Sequence, residues 1–121
     1  MDTPLVNVAR LQAALAQFAR ERDWDRFHSP KNLTMALAGE VGELLELFQW
    51  VSEDASREAA RDPATAQAVR DELADVLLYL VRLADQLGVD LDAAVRAKLE
   101  TNARKYPVDK SRGNARKYTA M

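Results

Sequence analysis

Four carboxylates set in two apolar stretches carry the chemistry of this chain. Glu40 and Glu43 stand in Met35-Ala-Leu-Ala-Gly-Glu-Val-Gly-Glu-Leu-Leu-Glu-Leu-Phe-Gln-Trp50; Glu72 and Asp75 stand in Glu72-Leu-Ala-Asp-Val-Leu-Leu-Tyr-Leu-Val81. Each pair is spaced i, i+3, so on a helix both carboxylates point the same way. Either pair alone would read as ordinary acids on a solvated face. The Leu, Val and Tyr around them argue instead for half-burial, where unpartnered carboxylates repel and desolvation works against their charge. A hard divalent cation compensates both costs, and an all-oxygen ligand set suits Mg²⁺ or Mn²⁺. Glu46 lies about 240° from Glu40 on the helical wheel and reads as a supporting residue rather than a ligand.

Two helices packed antiparallel can bring such pairs face to face, a known way to build a metal site inside a bundle. The spacing is Glu-x-x-Glu, 28 residues, Glu-x-x-Asp. Di-iron bundles add Glu-x-x-His, but the single histidine, His28, lies outside both pairs, so an iron oxidase is disfavoured. A carboxylate-held cation keeps positions open for water and phosphate oxygens. The C-terminal part offers the counterpart: Arg104, Lys105, Lys110, Arg112, Arg116 and Lys117 against Asp109 alone. Acidic cage plus basic arm suggests a polyphosphate substrate. A P-loop is absent.

The elements that must position these groups are helices. The chain has 121 residues, 48% of them hydrophobic, with four glycines and four prolines, which favours one all-α domain over residues 1–121. Val8, Leu11, Leu15 and Phe18 form an amphipathic stripe on a first helix, about Leu5 to Arg22. Pro30 disfavours helix at Ser29, and a second helix runs from about Asn32 to Val51. Its apolar residues cover most of its circumference, which predicts burial against several helices, some from another subunit. Ser52 to Asp62 reads as a loop with a short helical turn. Asp62-Pro63 starts a third helix that runs to Leu87, with Gly88 as its cap. Asp90 caps a fourth helix, Leu91 to Lys105, which Pro107 stops. The tail from Val108 to Met121 reads as irregular.

A net charge of −2 disfavours a polymer nucleic-acid binder, and the basic tail is the one feature favouring it. Zero cysteines exclude disulfides and thiolate metal sites. No apolar run approaches the ~20 residues of a membrane span. Met1-Asp-Thr-Pro lacks a basic segment followed by an apolar one, so no signal peptide is read and a cytoplasmic location is expected.

The residues also match a family. The chain resembles the all-α nucleoside triphosphate pyrophosphohydrolases of the MazG-like superfamily, and within it the dCTP pyrophosphatase branch. The carrying stretches are Glu21-Arg-Asp-Trp-Asp-Arg-Phe-His-Ser-Pro-Lys-Asn-Leu33, Gly39-Glu-Val-Gly-Glu-Leu44 with Glu46-Leu-Phe-Gln-Trp50, Asp71-Glu-Leu-Ala-Asp-Val-Leu-Leu-Tyr-Leu80, and Lys105-Tyr-Pro107 with Arg116-Lys-Tyr-Thr119. The resemblance implies a four-to-five-helix bundle assembled as a dimer of dimers, a homotetramer with its active site across a subunit interface. It implies Mg²⁺-dependent cleavage of dCTP, or of modified dCTP analogues, to dCMP and pyrophosphate, as nucleotide-pool sanitation. By the same resemblance Glu40, Glu43, Glu72 and Asp75 hold the metal and are catalytic. Trp24, Trp50 and Tyr79 enclose the base, and Lys98, Asn102, Lys105, Arg112, Lys117 and Tyr118 take the phosphate tail. Taken alone, the two Trp read as core or interface aromatics, the tail as a solvated end, and His28 as a turn residue. Vertebrate members of the branch carry a histidine where this chain has Leu15, a departure that bears on base selectivity. The rival readings are a broader NTP or dUTP pyrophosphohydrolase and a non-catalytic helical interaction module stabilised by metal.

Overall fold

The computed structural model describes residues 7–120. The expected helix start at Leu5, the segment Met1-Asp-Thr-Pro and the final Met121 lie outside them. Among the described residues the structure is all-helical. Four long helices are α1 (Ala9–Glu21), α2 (Pro30–Glu46), α4 (Ala66–Leu87) and α5 (Leu91–Lys105); α3 (Glu53–Ser56) and α6 (Val108–Ser111) are single turns. Two 3₁₀ turns, Asp25–Phe27 and Tyr118–Ala120, complete the chain. No described helix is long and apolar enough to cross a membrane.

Local chemistry sets the boundaries. Glu21 ends α1 because Asp23 turns left-handed (φ 53°). The amide of Trp24 then donates to the Ala19 carbonyl (2.9 Å) and that of Asp23 to Arg20 (3.1 Å). This is a Schellman ending with Asp where glycine is usual, and it throws Trp24 back over Phe18, ring edge to face at 5.7 Å. Phe18 thus leaves the buried stripe of α1 and Ala19 is the residue fully enclosed. At the start of α2 the Ser29 hydroxyl accepts from the Asn32 amide and Pro30 is the first helical residue.

α2 closes at Glu46 rather than Val51. Leu47, Phe48 and Val51 donate to carbonyls three residues back, so the chain tightens into successive turns. Those five residues are as apolar as the helix before them, and no Gly or Pro marked the change. α4 begins at Ala66, three residues beyond Pro63: the Asp62 carboxylate accepts from the Ala64 amide in a preceding turn, and the Asp62 carbonyl accepts from Ala66. Gly88, left-handed at φ 68°, ends α4, and Asp90 caps α5 through the Ala93 amide (3.0 Å).

The main packing is α2 against α4, with α1 also on α4. Among the described residues the buried apolar ones are Ala19, Leu33, Val69, Val81 and Ala84, a small core. α5 buries no residue fully. The accessible surface is 9102 Å²; a compact monomer of 13.5 kDa exposes about 6,500 Å². Met35, Val41 and Leu45 of α2 and Leu73, Leu77 and Leu80 of α4 are exposed.

Candidate active site

Packing α2 on α4 brings three of the four expected acids together. Glu40, Glu43 and Glu72 each place a carboxylate oxygen within 4.8 Å of the others. Glu40 and Glu72 are half-buried, and each has its Oε2 shut away from solvent with no hydrogen-bond partner. Two ionised carboxylates have no donor to share. They can bond only when one holds a proton, and that interaction with Glu40, followed by desolvation and the nearness of Glu43, pushes Glu72 up to about 7. Buried, unpartnered carboxylate oxygens in a group of three acids fit a cation among them. Three carboxylates and no nitrogen or sulfur ligand fit a hard one.

Asp75 is not within this group of three. It lines an adjoining cavity of about 230 Å³ together with Leu15, Phe18, Trp24, His28, Leu78, Tyr79 and Arg82. Glu72, Asp75, Tyr79 and Arg82 repeat at three- and four-residue steps, so one stripe of α4 runs from the acid group along the cavity wall. Trp24 and Tyr79 both line this cavity, and Trp24 is tilted 60° to the His28 ring at 6.2 Å. Leu15 lies in the same wall. A larger, more open hollow of about 520 Å³ at the α4–α5 elbow contains none of the four acids.

The remaining expected residues are elsewhere in the protomer. Trp50 is 89% exposed in the turns after α2. Lys98, Asn102 and Lys105 belong to α5, and Arg112, Lys117 and Tyr118 to the tail; none of them lines the cavity. The tail nonetheless folds back locally. Tyr118 packs edge to face on Tyr106 at 5.9 Å, and the Lys105 ammonium stands 4.9 Å from the Tyr118 ring centre.

Arg82 was not foreseen as a site residue. It is buried, and its Nε donates to His28 Nδ1 (3.1 Å) while its terminal nitrogens meet Asp25 (2.8 Å) and Asp85 (3.5 Å). Burial, then the Arg82 charge, lowers the His28 pKa against the opposing pull of Asp25. The sequence signal was present: a lone arginine in Leu80-Val-Arg-Leu-Ala84, seven residues after Asp75 on the same helical face.

Comparison with known proteins follows the same outline. The MazG-like family profile matches residues 36–121. The dCTP pyrophosphatase 1 proteins of Bos taurus and Rattus norvegicus are 51% and 52% identical over 120 residues, covering 99% of this chain and 69% of theirs. The crystal structure of a pyrophosphatase from Archaeoglobus fulgidus superposes with a TM-score of 0.76 at 38% identity, over 88% of this chain and 98% of that one.

Proposed function

The chain belongs to the MazG-like family, and from that premise we propose that it is a nucleoside triphosphate diphosphatase cleaving dCTP to dCMP and pyrophosphate. The observation that carries this reading is the convergence of Glu40, Glu43 and Glu72 beside a cavity walled by Trp24 and Tyr79. The half-identical relatives named for dCTP supply the base.

Glu40 and Glu43 of α2 and Glu72 of α4 would hold Mg²⁺, or Mn²⁺, with Asp75 one turn from Glu72 on α4. Such a cation, when bound, neutralises phosphate charge and makes water a stronger nucleophile at neutral pH. A carboxylate oxygen of the group accepts the proton of the water that attacks the α-phosphorus, and pyrophosphate leaves. Trp24 and Tyr79 stack on the base, a contact worth ~1–3 kcal/mol per base in nucleic-acid systems. Lys98, Asn102, Lys105, Arg112, Lys117 and Tyr118 bind the phosphate tail, and Trp50 closes over the base. Because none of these lines the cavity of its own protomer, we assign them to a site completed by a second copy. The exposed apolar residues Met35, Val41 and Leu45 of α2 and Leu73, Leu77 and Leu80 of α4 offer surface for such copies, and the assembly we propose is a homotetramer. The single domain would serve in the cytoplasm as a scavenger of dCTP and its modified analogues.

The test is ion-exchange analysis of dCTP incubated with pure protein and Mg²⁺, with EDTA as control. Metal-dependent dCMP plus pyrophosphate is expected; dCDP plus orthophosphate, or no product from any nucleotide, rejects the reading. Leu15 in the cavity wall favours a second reading, a broader NTP or dUTP specificity, which a competition of dCTP with dTTP, dUTP and dATP decides.

A further inference from the structure

The buried Arg82 looks structural at first, since it ties the 3₁₀ turn after α1 to α4 through Asp25 and His28. Its bond to His28 does something more specific. Arginine has only donors, so a guanidinium Nε–H 3.1 Å from His28 Nδ1 makes that nitrogen an acceptor. The imidazole is then neutral, with its single proton on Nε2. Burial and the adjacent Arg82 charge act in the same direction, against a second proton on the ring. The ring lines the cavity assigned to the base. His28 therefore carries one N–H donor, on Nε2, in a ring that lines this cavity, and its identity as donor is held by a residue that itself is enclosed.

We propose that His28 is a base-reading residue: its Nε2–H donates to N3 of a cytosine ring stacked between Trp24 and Tyr79, and Arg82 is the positioning residue that holds it in the donating tautomer. Cytosine N3 accepts, whereas uracil and thymine carry N3–H, a second donor that would leave both groups unpaired in a half-buried cavity. The inference rests on the pyrophosphohydrolase reading and gives it a source of pyrimidine selectivity.

The experiment compares kcat/KM for dCTP, dUTP and 3-deaza-dCTP, in which C–H replaces N3, for the parent chain, His28→Phe and His28→Gln. With the parent, 3-deaza-dCTP is expected to lose about ten- to a hundredfold relative to dCTP, the cost of stranding one buried donor. In His28→Phe that difference disappears and the dCTP:dUTP ratio falls by a similar factor, mostly through KM. His28→Gln, whose amide can accept from Arg82 and still donate, restores part of the ratio. Equal loss for dCTP and dUTP in His28→Phe would make His28 merely structural and overturn the proposal. So would a parent enzyme that turns over 3-deaza-dCTP as well as dCTP, a result that needs no variant to fold. A parent inactive on every nucleotide fails the underlying reading and this inference with it, while an active parent indifferent to N3 fails this inference alone.

Discussion

At the scale of single residues, the acid group makes opposite demands on stability and on metal binding. Folding raises the Glu72 carboxyl from 4.5 to about 7. In metal-free protein the folded chain therefore keeps a proton that the unfolded chain has released over that interval. Stability from this group is present in full below about pH 4.5 and is lost as pH rises through about 7. Thermal denaturation in EDTA is expected to show a downward contribution from this group across that window. Added Mg²⁺ should raise the midpoint more at pH 7.5 than at pH 5.5, because protons and cation compete for the same oxygens. A Mg²⁺ shift independent of pH would contradict the site. Glu43→Gln and Asp75→Asn should each cut dCTP turnover by roughly 100-fold or more, given how much charge a phosphoryl-transfer site must balance. In EDTA, Glu43→Gln should be no less stable than the parent, since it removes one of three crowded carboxylates; circular dichroism and product chromatography together check both halves.

At the scale of elements, the turns aim the site. Asp23 in its left-handed turn sends Trp24 over Phe18 and into the cavity wall. Gly88 ends α4 with φ 68°, so that Asp90, two residues on, can cap α5 at Leu91. An added Cβ at Gly88 meets nothing within 4 Å, and the cost of Gly88→Ala is that of the backbone alone, about 1 kcal/mol. The expected drop in melting midpoint is about 4 °C for a chain of this size. Activity per folded molecule should fall further than stability if α5 must reach a second protomer with Lys98, Asn102 and Lys105.

At the scale of the molecule, the protomer leaves apolar surface uncovered. Its core is small, α5 buries no residue fully, and Leu73, Leu77 and Leu80 run as an exposed apolar stripe along α4, displaced from the stripe that carries Glu72 and Tyr79. Sedimentation should therefore give a species several times the 13.5 kDa chain mass. Leu77→Asp should shift it toward monomer, because a charge on such a stripe cannot be desolvated cheaply. Loss of turnover in parallel with dissociation is expected if Lys98, Asn102 and Lys105 act across the interface. A monomeric parent with full activity would refute that assembly.

Periodicity and caps were enough to place the four long helices to within a few residues and the Gly88 and Asp90 caps, and the acid spacings to put Glu40 and Glu43 on one face of one helix, because each depends on chain neighbours three or four residues apart. The end of α2 was not legible, since Leu47 to Val51 stay apolar while their hydrogen bonds tighten from four residues to three. Nor was the division of labour within Glu72-x-x-Asp75, where one acid joins Glu40 and Glu43 and the other faces the cavity. The Arg82–His28–Asp25 contact joins residues more than fifty positions apart, and no local pattern encodes it. Spacing along the chain determined which side chains share a helical face; only the packing of α1 and α2 on α4 decided which of those faces meet, and so which carboxylate oxygens lose water and which side chains line the cavity.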